Sequence, residues 1–234
     1  MKCESCPVRK HGFCQFVNHS QLSEYDALRI GPKTAPTKAL LDWSRSGKHI
    51  HIIRQGWATQ FGTVPDGRAK ITDILAPGDI APLSRVFSAD SNLNLRAISN
   101  VEYCSFHVDE LQQFLQRHPQ ALKAFFDKIG AMLKRCETMT VALGALSAKE
   151  GMLCVLLALY RKLTKALEQE ELTYTTLPLK TKMLGELVGI TSVHAGRLVA
   201  EFEEQGLMRR TPDGLVINFL ALTESAMRYA PDLA

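Results

Sequence analysis

Between Lys48 and about Val108 the apolar residues of this chain come in short alternating runs separated by glycine and proline, whereas beyond Pro119 they recur at three- and four-residue steps. Alternation with period two turns one face of a strand to a core, and a mixed three-four step does the same for a helix. The first pattern predicts strands over His49–Ile53, Trp57–Phe61, Lys70–Leu75 and Leu95–Ile98, with turns at Pro65-Asp66-Gly67 and Pro77-Gly78-Asp79. Short antiparallel strands at this spacing form a small sandwich or a rolled barrel. Ahead of them, Ser20 to Leu28 reads as a short capped helix with acids in its first turn.

The second pattern opens with a helix from about Pro119 to Leu146. Leu122, Phe125, Ile129, Met132, Cys136, Met139, Leu143 and Leu146 occupy its a and d positions over more than three heptads. A stripe that narrow suits a second copy of the same helix better than a broad core, so a parallel homodimer through this helix is expected. Packing on the chain's own strands is the alternative. Cys136 falls on the seam and Cys154 in the apolar run Met152 to Tyr160, where each reads as a small buried hydrophobe.

The remainder is predicted to be helical to about Gln205. Within it, Thr181 to Val188 and Ser192 to Gln205 form two helices joined by Gly189-Ile190-Thr191, with Gly206 closing the second. Leu184, Leu187, Val188, Ile190, Leu198, Val199 and Phe202 fall on helical spacing that buries them between the two. Leu207 to Asn218 then makes a two-stranded wing turning at Pro212-Asp213-Gly214. Helix, glycine-containing turn, helix and wing describe a winged helix-turn-helix, whose second helix enters the major groove of double-stranded DNA. Ser192, Val193, His194, Gly196 and Arg197 lead outward from its first turns. Arg197 suits guanine O6 and N7 together, Val193 suits a thymine methyl, and Gly196 permits close approach. Thr181, Arg209 and Arg210 suit phosphate.

Composition changes this picture little. The chain of 234 residues, 46% apolar and 22% charged, is that of a globular protein with room for two domains. A net charge of +4 does not announce a nucleic-acid binder, and residues 148–234 carry 10 Lys and Arg against 11 Asp and Glu, so the expectation of DNA binding rests on the motif. The longest apolar run, Met152 to Tyr160, falls short of the roughly 20 residues that span a bilayer, and the first residues show no secretory pattern. A cytoplasmic protein without a membrane partner is expected, its six cysteines being free thiols or metal ligands.

Candidate chemistry lies in those cysteines. Cys3, Cys6 and Cys14 crowd a terminus too short for a core of its own, and Cys104 follows at the end of a strand-like run. Soft thiolates in this layout fit a four-sulfur site for an iron–sulfur cluster or for zinc. Three ligands on a terminus and one on a domain suit a labile, regulatory site. No Gly-rich phosphate loop, H-E-x-x-H or G-x-S-x-G occurs, so no enzyme is expected.

The order of cysteine segment, roll, long helix and winged helix-turn-helix resembles the CRP/FNR superfamily of bacterial transcription regulators over nearly the whole chain. The segment Val101 to Leu111, which holds Cys104, looks like the place where oxygen-sensing FNR proteins carry their fourth cluster ligand, and Cys3, Cys6 and Cys14 match the N-terminal three. The resemblance implies an α+β protein. Its parts are a cysteine-rich segment (1–20), a β-roll of the cyclic-nucleotide-binding, jelly-roll kind (21–118), a dimerisation helix (119–147) and a winged helix-turn-helix (148–234). It also implies a [4Fe-4S] cluster that is intact without oxygen, holds the dimer together and is dismantled by oxygen, with palindromic DNA and RNA polymerase as partners. A relative sensing haem, nitric oxide or a small ligand is the nearest alternative. A zinc- or cluster-binding redox protein without DNA binding is the alternative from another class.

The resemblance has departures. Seven residues separate Cys6 from Cys14, where the best-known FNR pattern has five. Val193 stands where both branches carry Glu, so the DNA site read should differ from theirs. The roll lacks the Gly-Glu and Arg-Ser pairs of the cyclic-nucleotide branch, having Ile80-Ala81-Pro82-Leu83-Ser84 and Asn94-Leu95-Arg96-Ala97-Ile98 instead.

Overall fold

A computed structural model describes residues 2–10, 12–41, 48–63, 65–67, 69–88, 92–167 and 174–229. These form two compact units, residues 1–130 and 131–234, and the division falls inside one long helix.

In the first unit, strands β1 (Ile30–Ala35), β2 (His49–Gln55), β3 (Ala58–Thr63), β4 (Ala69–Leu75), β5 (Ile80–Ala81), β6 (Leu93–Ala97) and β7 (Val101–His107) make two antiparallel sheets. Their orders are β1-β7-β2-β5 and β4-β3-β6. The alternating faces of both meet in a core that includes Ile53, Leu75, Leu95, Val101 and Tyr103, so the rolled sandwich is formed. All four predicted strands are present within a few residues of their expected bounds. β1 carries no apolar alternation to reveal it; it holds Gly31 and Pro32 and pairs with β7 alone, the edge position where proline is tolerated. Cys104 does not end its strand. It is the central residue of β7, which runs on to His107.

Helix α1 (Leu22–Leu28) follows a tight turn that starts one step earlier than expected, with the Asn18 N–H donating to Gln21 Oε1 at 3.1 Å. Helix α2 (Val108–Arg117) buries Val108, Leu111, Phe114 and Leu115. After His118 comes α3 (Pro119–Ala145), with proline at its first position, where the missing N–H costs nothing.

The second unit holds α4 (Ala148–Leu167), β8 (Tyr174–Leu177), α5 (Thr181–Val188), α6 (Ser192–Glu204), β9 (Met208–Thr211), β10 (Gly214–Asn218) and α7 (Phe219–Ala226). The stretch expected to be helical to Gln205 is broken by β8, whose Thr175 and Thr176 favour a strand and whose pairing with β10 adds a third strand to the wing.

Candidate metal centre and nucleic-acid interface

The N-terminal segment winds through short 3-10 turns at Cys3–Ser5, Pro7–Lys10 and Gly12–Phe16. It is not a loose tail, because Val8, Phe13 and Val17 are buried. Period two along β7 sends Val101 and Tyr103 into the inter-sheet core and Cys104 with Phe106 to the opposite face, where Cys104 pairs in register with Ile52 of β2. On that face a pocket is lined by Cys3, Cys6, Cys14 and Cys104 together, with Arg9, Arg29, Arg54 and Tyr25 around them. Gly12 lies within the seven-residue spacing between Cys6 and Cys14. It has φ +62°, and a Cβ there would lie 1.9 Å from the Gly78 carbonyl oxygen, so the segment lies directly against the turn at 77–79.

Burial, then the contact with Asp26, pushes the Cys3 thiol up to about 12. Burial does the same for Cys14, to about 12, against the Tyr25 hydroxyl 4.0 Å from its sulfur. Cys104 is raised by burial too, while Arg29 and Arg54 favour its thiolate. Protonated thiols must give up protons to bind a metal, so any loading here would depend on pH. The cations that would hold the resulting thiolates are in place. Arg54 Nε donates to Cys6 Sγ at 3.4 Å, Arg29 bonds Asp26 at 2.8 Å beside Cys3 and Cys104, and Arg9 donates to the carbonyls of Cys14 and Val17. Among the described residues no three His, Cys, Asp or Glu side chains close on a single metal position. Four soft donors on one pocket, with guanidinium groups beside them, nonetheless fit a thiolate-bound centre in number and kind.

The same segment is fastened to the start of α3. Phe13, next to Cys14, meets Phe125 edge-on at 5.8 Å, and Asn18 Nδ2 donates to Gln120 Oε1 at 2.7 Å. Glu24 of α1 holds Arg117 and the ring of His118, the latter at 2.7 Å. Phe125 is therefore buried within its own unit. Of the other seam residues, Leu122, Ile129, Met132, Met139, Leu143 and Leu146 are half-buried in the single chain. Cys136, expected to be a small buried hydrophobe, is exposed there, with Phe126 and Leu133 on the adjoining flank also exposed. Cys154 is buried in α4.

In the second unit α5 and α6 cross at Gly185, where a Cβ would stand 3.1 Å from the Ala195 Cβ. Gly189 turns the chain with φ +87°, and the Thr191 hydroxyl caps α6 by accepting from the His194 N–H at 3.2 Å. Ala195, Leu198, Val199 and Phe202 face inward. Ser192, Val193, His194 and Arg197 are exposed, Val193 at 65%, and nothing lies within 4 Å of where a Gly196 Cβ would be. Thr181 is half-buried at the start of α5, and Arg209 is exposed on the wing. Arg210 is exposed too, but its guanidinium is paired with Glu203.

Residues 44–118 match the family described as the cyclic nucleotide-binding domain. The chain is 27% identical over 220 residues, 92% of its length and 88% of the relative's, to the transcriptional activatory protein AadR of Rhodopseudomonas palustris. It is 23% identical over 204 residues, 87% and 84% of the two lengths, to the nitrogen fixation regulation protein FixK of Bradyrhizobium diazoefficiens. Among solved structures it resembles FixK2 from Bradyrhizobium japonicum with a TM-score of 0.65 at 15% identity, covering 84% of this chain and 95% of that one. Over most of its length the chain is thus similar to transcription regulators of the CRP/FNR kind. Those relatives are transcription regulators, of a kind that binds DNA, is typically dimeric and is not enzymatic. Among the described residues no helix is long and apolar enough to cross a membrane. The family match at 44–118 covers Arg54 and Cys104 but neither the N-terminal cysteines nor α6. Arg9, Arg29, Arg54, Tyr25 and Gly12 are participants that sequence reasoning missed. Arg9 and Gly12 lie inside the Cys6 to Cys14 spacing, the one signal the sequence held for them.

Proposed function

We propose that this regulator binds DNA under the control of a [4Fe-4S] cluster held by Cys3, Cys6, Cys14 and Cys104, and that oxygen or a related redox signal is what it senses. The observation that carries the reading is the convergence of these cysteines, three from a short terminus and one from the middle of a strand, on one pocket. When bound, such a cluster supplies a link that oxidants can sever. Cys104, held in the β7 ladder, is the fixed point, and Cys3, Cys6 and Cys14 tie the terminal segment to it. With the segment in place, Phe13 presses on Phe125 and Asn18 holds Gln120, so the first turns of α3 keep one arrangement. When the segment is released those contacts go, and the a and d residues of α3 are biased toward another packing. Ser192, Val193, His194, Gly196 and Arg197 then read DNA only in the paired state.

Anaerobic purification of the parent and of six Cys→Ser variants, with iron and sulfide analysis, tests the assignment. The parent is expected to hold about four irons and four sulfides per protomer. The changes at Cys3, Cys6, Cys14 and Cys104 should abolish loading, and those at Cys136 and Cys154 should leave it intact. Loading that survives Cys104→Ser, or zinc in place of iron and sulfide, overturns the reading.

A further inference from the structure

Arg54 stands where β2 leaves its ladder. Ile53 pairs with Tyr103 and Gln55 with Glu102, so Arg54 is the extra residue of a β-bulge. Bulges re-aim side chains. This one turns a guanidinium inward, to 3% exposure, on the wall of the cysteine pocket. Its Nε donates to Cys6 Sγ at 3.4 Å, and its Nη1 bonds the carboxylate of Glu102, two residues before Cys104 on the same face of β7. One planar group therefore spans from the terminal C-x-x-C to the strand that carries the fourth cysteine.

We propose that Arg54 is the positioning residue of the thiolate centre, clasping Cys6 to β7 through Glu102 and, on the cluster reading above, holding that sulfur on the metal. The fork matters as much as the charge. A guanidinium presents several donors in a fixed plane and reaches Cys6 and Glu102 together, whereas an ammonium is a point charge on a flexible stem. Burial opposes the positive charge of Arg54, and the bond to Cys6 together with the charges of Cys6, Cys104 and Glu102 more than offsets it. Partners that orient a metal ligand from behind are commonly as consequential as the ligand itself, with about 10- to 100-fold effects on metal affinity when they are removed.

The test compares the full-length parent with Arg54→Lys, which keeps a buried cation but loses the fork. Two rates are read: alkylation of Cys6 by iodoacetamide in the reduced, metal-free protein, followed by mass spectrometry, and anaerobic loss of iron to a chelator. Cys6 is expected to alkylate several-fold faster in the variant, and iron to be lost on the order of ten-fold faster. A melting curve matching the parent's shows that the fold is kept. Should Arg54→Lys unfold, Glu102→Gln, which leaves Arg54 in place and weakens its far anchor, is read by the same two rates. An unchanged alkylation rate at Cys6 overturns the clasp whatever the iron content. A parent that takes up no iron while Arg54→Lys still exposes Cys6 sinks the cluster reading and leaves the clasp standing.

Discussion

Arg197 and Arg210 are both exposed arginines of the helix-turn-helix unit, yet they are not equivalent. Arg197 stands on the outer face of α6 beside Val193, whereas Arg210 is held by Glu203, so its charge is already partly spent. A bidentate arginine–guanine pair discriminates by about 1–3 kcal/mol. Selection of binding sites from a random pool should therefore show Arg197→Ala losing preference at one position in each half-site. Val193→Glu should gain an acceptor suited to a cytosine amino group. Arg209→Ala should weaken all sequences alike and reduce the salt slope by about one, with a smaller effect from Arg210→Ala. At this scale the candidates marked by residue type were legible, since cysteines crowded on a short terminus and an arginine on an exposed helical face stand out in a bare sequence. Arg54 and Tyr25 were not legible, because an arginine inside a strand and a tyrosine inside a short helix acquire meaning only from what a bulge and a fold bring beside them.

Among elements, α1 is tied to the corner between α2 and α3 by Glu24, whose carboxyl is held below the usual carboxylate range first by His118 and then by Arg117. A carboxylate with a depressed folded-state pKa stabilises the fold at pH values above its unfolded value, about 4.3, and that contribution is lost as pH falls through the lower folded value. The pair is substantially exposed, so the effect should not exceed about 1 kcal/mol. Urea unfolding followed along a pH series should show Glu24→Gln less stable than the parent near neutrality and indistinguishable from it in strong acid. The elements with clean periodicity, β2 to β4, β6, α3, α5 and α6, were legible because their apolar residues recur at the step of a strand or of a helix. β5, two residues long, and β8, four residues long, were too short to show a period, and their place is set by the partner strand.

For the whole molecule, on the proposed function, the seam of α3 decides whether two recognition helices act together. Ile129 is half-buried in the single chain and lies on that seam. Ile129→Glu would place two unpaired charges against each other in a dimer, a cost of several kcal/mol. Sedimentation under anaerobic conditions should find the variant monomeric and the parent dimeric. The distribution of parts along the chain has a consequence for how such a protein changes over generations. The segment bearing Cys3, Cys6 and Cys14 ends before α1 begins, while the sheets, α3 and α6 lie wholly after it. A lineage could discard this segment and keep its address on DNA. It would inherit an uncovered aromatic face, Tyr25, Phe106 and Phe125, and whatever came to cover that face would become the new signal.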